Sequence, residues 1–318
     1  MKNPGSVSCL FISIFFNISF AQAQKPEPRF LSLSVYDSAN KQVILFGGEN
    51  DKGYLKDLWA YKKSKWKKLD SLGPGIIKCA FAYDIHRKKI VLFGGSGKTV
   101  TTDETWEWDG SHWVKIDLPG PSTRNHPMSV YSPKDKSVIL FGGSTVDAHL
   151  LTDTWAYDGL SWKLMDNDGP KDCLPHGMYY DEKRQKVMLV TLSETNDSPD
   201  PTRTINKLWE WTGKSWKNIQ EGNMTTSQHG LQALARFGED GILLFDGGDI
   251  SDGHGKTWTY SAGHWQSQQG NGPSSRSGHA MIYDPLTRKT ILFGGQDDRK
   301  NYLNDLWEWD GTIWHKIN

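Results

Sequence analysis

Apolar and polar residues alternate along this chain in short bursts with a period of two, and turn residues separate the bursts. The clearest run begins at Gly278. Gly278-His279-Ala280-Met281-Ile282-Tyr283-Asp284 reads as a strand, Pro285 to Lys289 as a turn, and Thr290-Ile291-Leu292-Phe293 as a short apolar strand that stops at Gly294-Gly295. A polar loop from Gln296 to Asn304 leads to a third strand, Asp305-Leu306-Trp307-Glu308-Trp309. Asp310-Gly311 predicts a hairpin turn into a fourth strand ending at Ile317. Successive side chains of a strand point to opposite faces, so Trp307 and Trp309 share a face and the hairpin brings Trp314 alongside. Four such strands make a twisted antiparallel sheet too small to bury either face alone.

The unit recurs six times. Tryptophans seven residues apart mark each copy: Trp59/Trp66, Trp106/Trp113, Trp155/Trp162, Trp209/Trp216, Trp258/Trp265 and Trp307/Trp314. Their first members follow one another at intervals of 47, 49, 54, 49 and 49 residues. A period of that length means one supersecondary unit copied along the chain, with the copies stacked face to face. The tryptophans are therefore expected in the layers between sheets. Gly-Gly ends the second strand at 47–48, 94–95, 142–143, 247–248 and 294–295, in phase with the tryptophan pairs, as a backbone leaving with φ > 0 requires. Repeat four breaks the pattern with Thr191-Leu192 at this position and a polar loop from Ser193 to Thr204. Repeat five has Arg236 where the others have Tyr.

The order strand-Tyr-Asp, strand-Gly-Gly, polar loop, Asp-x-Trp-x-aromatic, Trp resembles the kelch motif, of the superfamily that includes the central domain of galactose oxidase. The resemblance runs from about Arg29 to Asn318. It implies an all-β, six-bladed β-propeller of four-stranded antiparallel blades, with the first strand of each blade around a central channel. One domain is expected over residues 24–318, with blades near 29–70, 76–117, 124–166, 173–220, 229–268 and 276–318. The propeller starts on a first strand and ends on a fourth, so ring closure is expected from packing of blade one on blade six. Glu-Trp-Asp-Gly at 107–110 and 308–311 is similar to the third strand of exported bacterial kelch proteins.

Composition narrows the partners. Lys and Arg total 37, as do Asp and Glu, and the resulting balance argues against nucleic acid or an anionic membrane as the main partner. Lys2, an apolar run from Leu10 to Phe20 and the small-x-small triplet Ala21-Gln22-Ala23 predict a signal peptide over 1–23, with a mature chain starting near Gln24. The apolar run is too short to span a bilayer, so no membrane span is expected after cleavage and the protein is expected to be secreted or periplasmic, or held at the cell surface. Cys79 and Cys173 fall in repeats two and four, which are not neighbours, and two buried thiols are expected rather than a disulfide.

Ligands of a propeller meet the loops at one channel mouth, where the segments leading into each first strand and those following each Gly-Gly come together. Seven residues before the Tyr position stand Arg29, Ile76, Arg124, Cys173, His229 and Arg276. Four residues before it stand Ser32, Cys79, Pro127, His176, Gln232 and His279, with His126 one residue away. Arg29, Arg124, His126, His176, His229, Arg276 and His279 are the ligand-binding candidates, a set able to form a polar, anion-tolerant pocket. The competing reading is that they satisfy carbonyls of neighbouring blades. Asp249, Asp252, His254, Asp297 and Asp298 lie in loops but lack the spacing of oxygen ligands, so no metal is expected, and no cofactor motif is present. The Cys-linked Tyr and two His ligands of galactose oxidase do not map onto this chain, so its oxidase activity is not implied. Two functions stay open: an exported binding scaffold for a glycan or protein ligand at the mouth, and a sugar-active enzyme such as the exported kelch-type sialic acid mutarotases, which need only a placed acid and base.

Overall fold

The computed structural model describes residues 24–171, 174–194, 203–225, 233–238, 241–246, 255–268, 270 and 272–317. The signal peptide expected over 1–23, Cys173, His229, Gln232, Asp249, Asp252 and His254 lie outside them. Six four-stranded sheets form, each with its strands side by side in chain order; in blade one a two-stranded hairpin, Glu49–Asn50 with Gly53–Tyr54, lies between the second and third strands. Their innermost strands are Leu33–Asp37, Ala80–Asp84, Met128–Ser132, Leu174–Asp181, Ala233–Phe237 and Ala280–Asp284. Each of these packs beside the innermost strands of the blades on either side, and that of blade six meets that of blade one, so the ring closes as a six-bladed β-propeller.

Closure uses packing and hydrogen bonds, and among the described residues no strand is exchanged between blades. Arg29 N–H donates to Leu303 O at 3.0 Å, Gly295 N–H to Arg29 O at 2.9 Å and Leu31 N–H to Gly278 O at 2.7 Å. The Trp66 ring meets Phe293 of blade six edge-on at 5.2 Å. That contact recurs at five of the six interfaces, where the second Trp of a blade sits on the Phe that ends the second strand of the preceding blade; blade four has Val190 in that place, in one layer with Trp265. Trp113 lies against Phe46, Trp162 against Phe93, Trp216 against Phe141 and Trp314 against Phe245. The core is thus six inter-blade layers rather than one centre.

Gly-Gly does what the sequence predicts. Gly94 and Gly95 take φ of 68° and 93°, and a Cβ on Gly95 would lie 2.4 Å from the Ile77 carbonyl oxygen. Blade four, without the glycines, has no such stop. Its second strand continues from Lys186 to Glu194 and pairs with a third strand spanning Arg203–Trp211. Ser193, Glu194, Arg203 and Thr204, expected in a loop, are therefore strand residues.

Candidate functional site

The three arginines expected at the mouth are buried, with side chains 0–1% exposed. Arg124 Nη1 donates to Gly142 O at 3.0 Å and to Asp153 Oδ1 at 2.6 Å, and Nη2 to Asp153 Oδ2 at 2.8 Å. Its remaining donors bind Ser122 O and Oγ. Arg29 holds Asp57 and Gly47 O, and Arg276 holds Asp305 and Gly294 O, in the same way. The fork of the guanidinium matches the carboxylate, which explains the Asp of Asp-x-Trp. That carboxylate also accepts the indole N–H of the Trp two residues on, at 2.6–2.7 Å in blades one, three and six. Burial alone would raise the Asp153 carboxyl, but the Arg124 bonds and the Trp155 indole outweigh it and hold it below its ordinary value.

The backbone of the same arginine faces the other way. Gly95 N–H of blade two donates to Arg124 O at 2.8 Å, so Arg124 ties blade two through its carbonyl and its own blade through its guanidinium. These arginines rivet blades together and offer no donor to a ligand. The carbonyl their guanidinium satisfies belongs to their own blade, not to the adjacent one.

Of the candidate histidines, His126, His176 and His279 lie among the described residues. His279 is 5% exposed and packs edge-on against Phe245 at 5.2 Å, and neither ring nitrogen has a hydrogen-bond partner. Burial, then Arg276, pushes its pKa down to about 3. This position lies beneath the second glycine of its own blade: a Cβ on Gly295 would come 3.1 Å from His279 Cβ, and one on Gly95 2.8 Å from Cys79 Cβ. Its side chain therefore enters the layer between blades instead of the channel. Cys79 is likewise a buried free thiol, its pKa pushed up to about 12 by burial. His176 is half-buried in the first strand of blade four. His126 is half-buried too, at φ 54°, with burial and then Lys78 lowering its pKa to about 4.

Of the residues that stand at the rim, counting from the Tyr position found only His126. Leu31, Lys78, His126 and Gly278, each two residues after the arginine position, all take φ of 54–60°. His126 N–H donates to Lys78 O at 2.7 Å and Leu31 N–H to Gly278 O at 2.7 Å, so the backbone steps from blade to blade around the rim. Outside this rim the loops after Gly-Gly enclose two grooves. One, of about 500 Å³, is lined by Tyr54, the segment Ser96 to Thr101, and Val146. Val100 and Val146 are 66% and 70% exposed there. The other, of about 690 Å³, is lined by polar residues including Asn50, Asp51, Lys300 and Tyr302, and its Lys52 pairs with Glu27 at 2.8 Å. Among the described residues no three His, Cys, Asp or Glu side chains converge to hold a metal. Asp297 spends its carboxylate on the N–H groups of Arg299 and Asn301 and on the Asn301 amide.

Residues 17–188 match the family described as the KLHDC2/KLHL20/DRC7 Kelch-repeats domain, more than half of the chain. The chain belongs to the kelch-repeat family. The solved structure of YjhT superposes on this kelch propeller with a TM-score of 0.61 over 92% of this chain and 99% of that one, at 13% identity, a likeness of fold alone. Mei4-dependent protein 6 of Schizosaccharomyces pombe is 27% identical over 211 residues. The match takes in 58% of the kelch chain but only 30% of the length of that relative.

Proposed function

We propose that this kelch propeller is a non-catalytic scaffold that holds a segment of a partner protein in the groove between the loops of blades one, two and three. One observation carries the reading: Val100 and Val146 stand open to solvent on two separate loops and converge with Tyr54 on a single groove. Covering an exposed Val contributes roughly 1.5–3 kcal/mol, enough for two to anchor a short segment. The rigid blades beneath set the loops in place before binding, which lowers the ordering cost of association.

Panning a phage-displayed random peptide library against residues 24–318 tests this. Peptides should be enriched whose binding falls at least about tenfold in Val100→Asp/Val146→Asp. The same peptides should be unaffected by Leu160→Asp, an exposed change on a turn at the opposite face. Peptides that bind both variants equally, or no enrichment at all, would remove the groove from consideration.

A further inference from the structure

The outer hairpin of blade one carries a charge pattern that no other blade shares. Lys62, Lys63, Lys65, Lys67 and Lys68 fall within seven residues, and all five are exposed. No Asp or Glu occurs between Asp57 and Asp70. Lys62 Nζ donates to Asn40 O at 2.5 Å, which sets the hairpin against the turn holding exposed Lys41. That turn has no free carboxylate to offer. Asp37 is buried and accepts from Asn40 N–H, Asn40 Nδ2 and Gln42 Nε2.

The outer turns of blades one and five depart from the other four. Blades two, three, four and six place Gly110, Gly159, Gly213 and Gly311 at the first left-handed position, with φ of 95–105°, whereas blade one has Lys63 and blade five Ala262, both at 50°. The preceding residue is a carboxylate that caps its own turn in three blades. Asp109, Asp158 and Asp310 each accept two backbone N–H groups. Blade one has Lys62 in that place, a reversal of charge with loss of the cap. Blade five shares the uncapped turn but carries Ser261, Ala262 and His264 there, so what sets blade one apart is the run of lysines.

We propose that this hairpin is a second docking surface, taking an acidic segment of a partner protein, independent of the groove at the mouth. The chemistry favours that occupant. Lysines are point charges without the planar fork that reads phosphates and bases. The one aromatic in the run, Trp66, turns inward against Tyr61 and Phe293, so no stacking platform for a nucleic acid is presented. The run offers no other apolar side chain to enter a membrane. The outer strand Lys65–Asp70 is about 20 Å long, the reach of a short extended peptide.

Fluorescein-labelled decaglutamate is the probe, with fluorescence anisotropy as the readout. Binding should weaken as salt rises, and should fall at least about tenfold in Lys63→Glu/Lys65→Glu/Lys67→Glu with the melting temperature unchanged. Val100→Asp/Val146→Asp should bind decaglutamate as wild type does, which separates this surface from the groove. Lys63→Gly should raise the melting temperature while weakening the probe, as expected if the lysine is kept for binding at the expense of the turn. No binding, equal binding by the triple variant, or tighter binding of duplex DNA or phosphatidylglycerol vesicles would overturn the proposal.

Discussion

The interface between blades one and two and the interface between blades two and three share one backbone frame and fill it with different chemistry. In the first, Leu58 and Ala60 of blade one face Trp108 and Trp113 of blade two, and the Trp113 indole N–H has no partner. In the second, Thr105 and Glu107 occupy the corresponding positions opposite Tyr157 and Trp162. Trp162 Nε1 donates to Thr105 Oγ1 at 2.9 Å. Glu107, 2% exposed, accepts from Tyr157 OH at 2.9 Å, from Lys89 Nζ at 2.7 Å and from Arg87. The interface from blade six to blade one repeats the carboxylate half of the second type, with Glu308 taking Lys289 at 2.6 Å and Tyr61 at 3.4 Å and Leu306 in the place of Thr105. Polar atoms enter these layers as matched sets drawn from both blades, because a single buried carboxylate or hydroxyl without its partner would cost more than the layer gains.

The largest expected effect breaks the matched set. Glu107→Ala leaves Arg87, Lys89 and Tyr157 facing an empty position and should cost about 3–5 kcal/mol, read as a fall in the thermal midpoint. A variant melting with wild type would show that the set contributes nothing. Ala60→Glu in the first interface should also destabilise, since Gln42 stands where blade two offers Lys89.

A second effect extends the comparison to the layer between blades five and six, where His279 holds the position given to Cys79 and Pro127 in the other two. Its folded pKa of about 3 lies below the ordinary value near 6.5. Between those limits the unfolded chain binds a proton that the folded one refuses. Its stabilising share is thus whole above pH 6.5 and declines toward pH 3 by about 1.4 kcal/mol per pH unit. His279→Phe should flatten that part of the stability profile, and an unchanged slope would place the titration elsewhere. Glu107 adds in the same direction at lower pH. Burial would raise its carboxyl, but Lys89 and Arg87 hold it low, so its share is lost only as pH falls through the carboxylate range.

The smallest effect refines the pairing. Thr105→Val keeps the shape and removes the acceptor of Trp162, which should cost about 1–2 kcal/mol. Equal stability would mean that the indole is as content unpaired as Trp113 already is.

Much of this frame is legible before folding. The tryptophan pairs, Gly-Gly and Tyr-Asp are local, repeated and in phase, so strand order and blade number follow from spacing alone. The alternation of Trp-Ala-Tyr or Trp-Thr-Tyr with Trp-Glu-Trp in the third strands is equally visible in the letters, yet its meaning needs the register that sets Glu107 opposite Tyr157. The arginines mislead because spacing places a residue near the mouth without saying which way its side chain turns. The zero net charge conceals the lysine hairpin, since a total carries no information about where charges sit.

The chain by itself therefore determined the six repeats, the turns and the aromatic layers, all consequences of short-range stereochemistry copied along a fixed period. Only the tertiary structure decided which polar residues are consumed inside. Arg124 and Asp153 lie 29 positions apart, and Tyr157 and Glu107 lie 50 apart. Whether such groups face each other or solvent depends on the stacking of neighbouring sheets, which no local preference encodes. What they leave exposed, the valines beside Tyr54 and the lysines of blade one, is where function is to be sought.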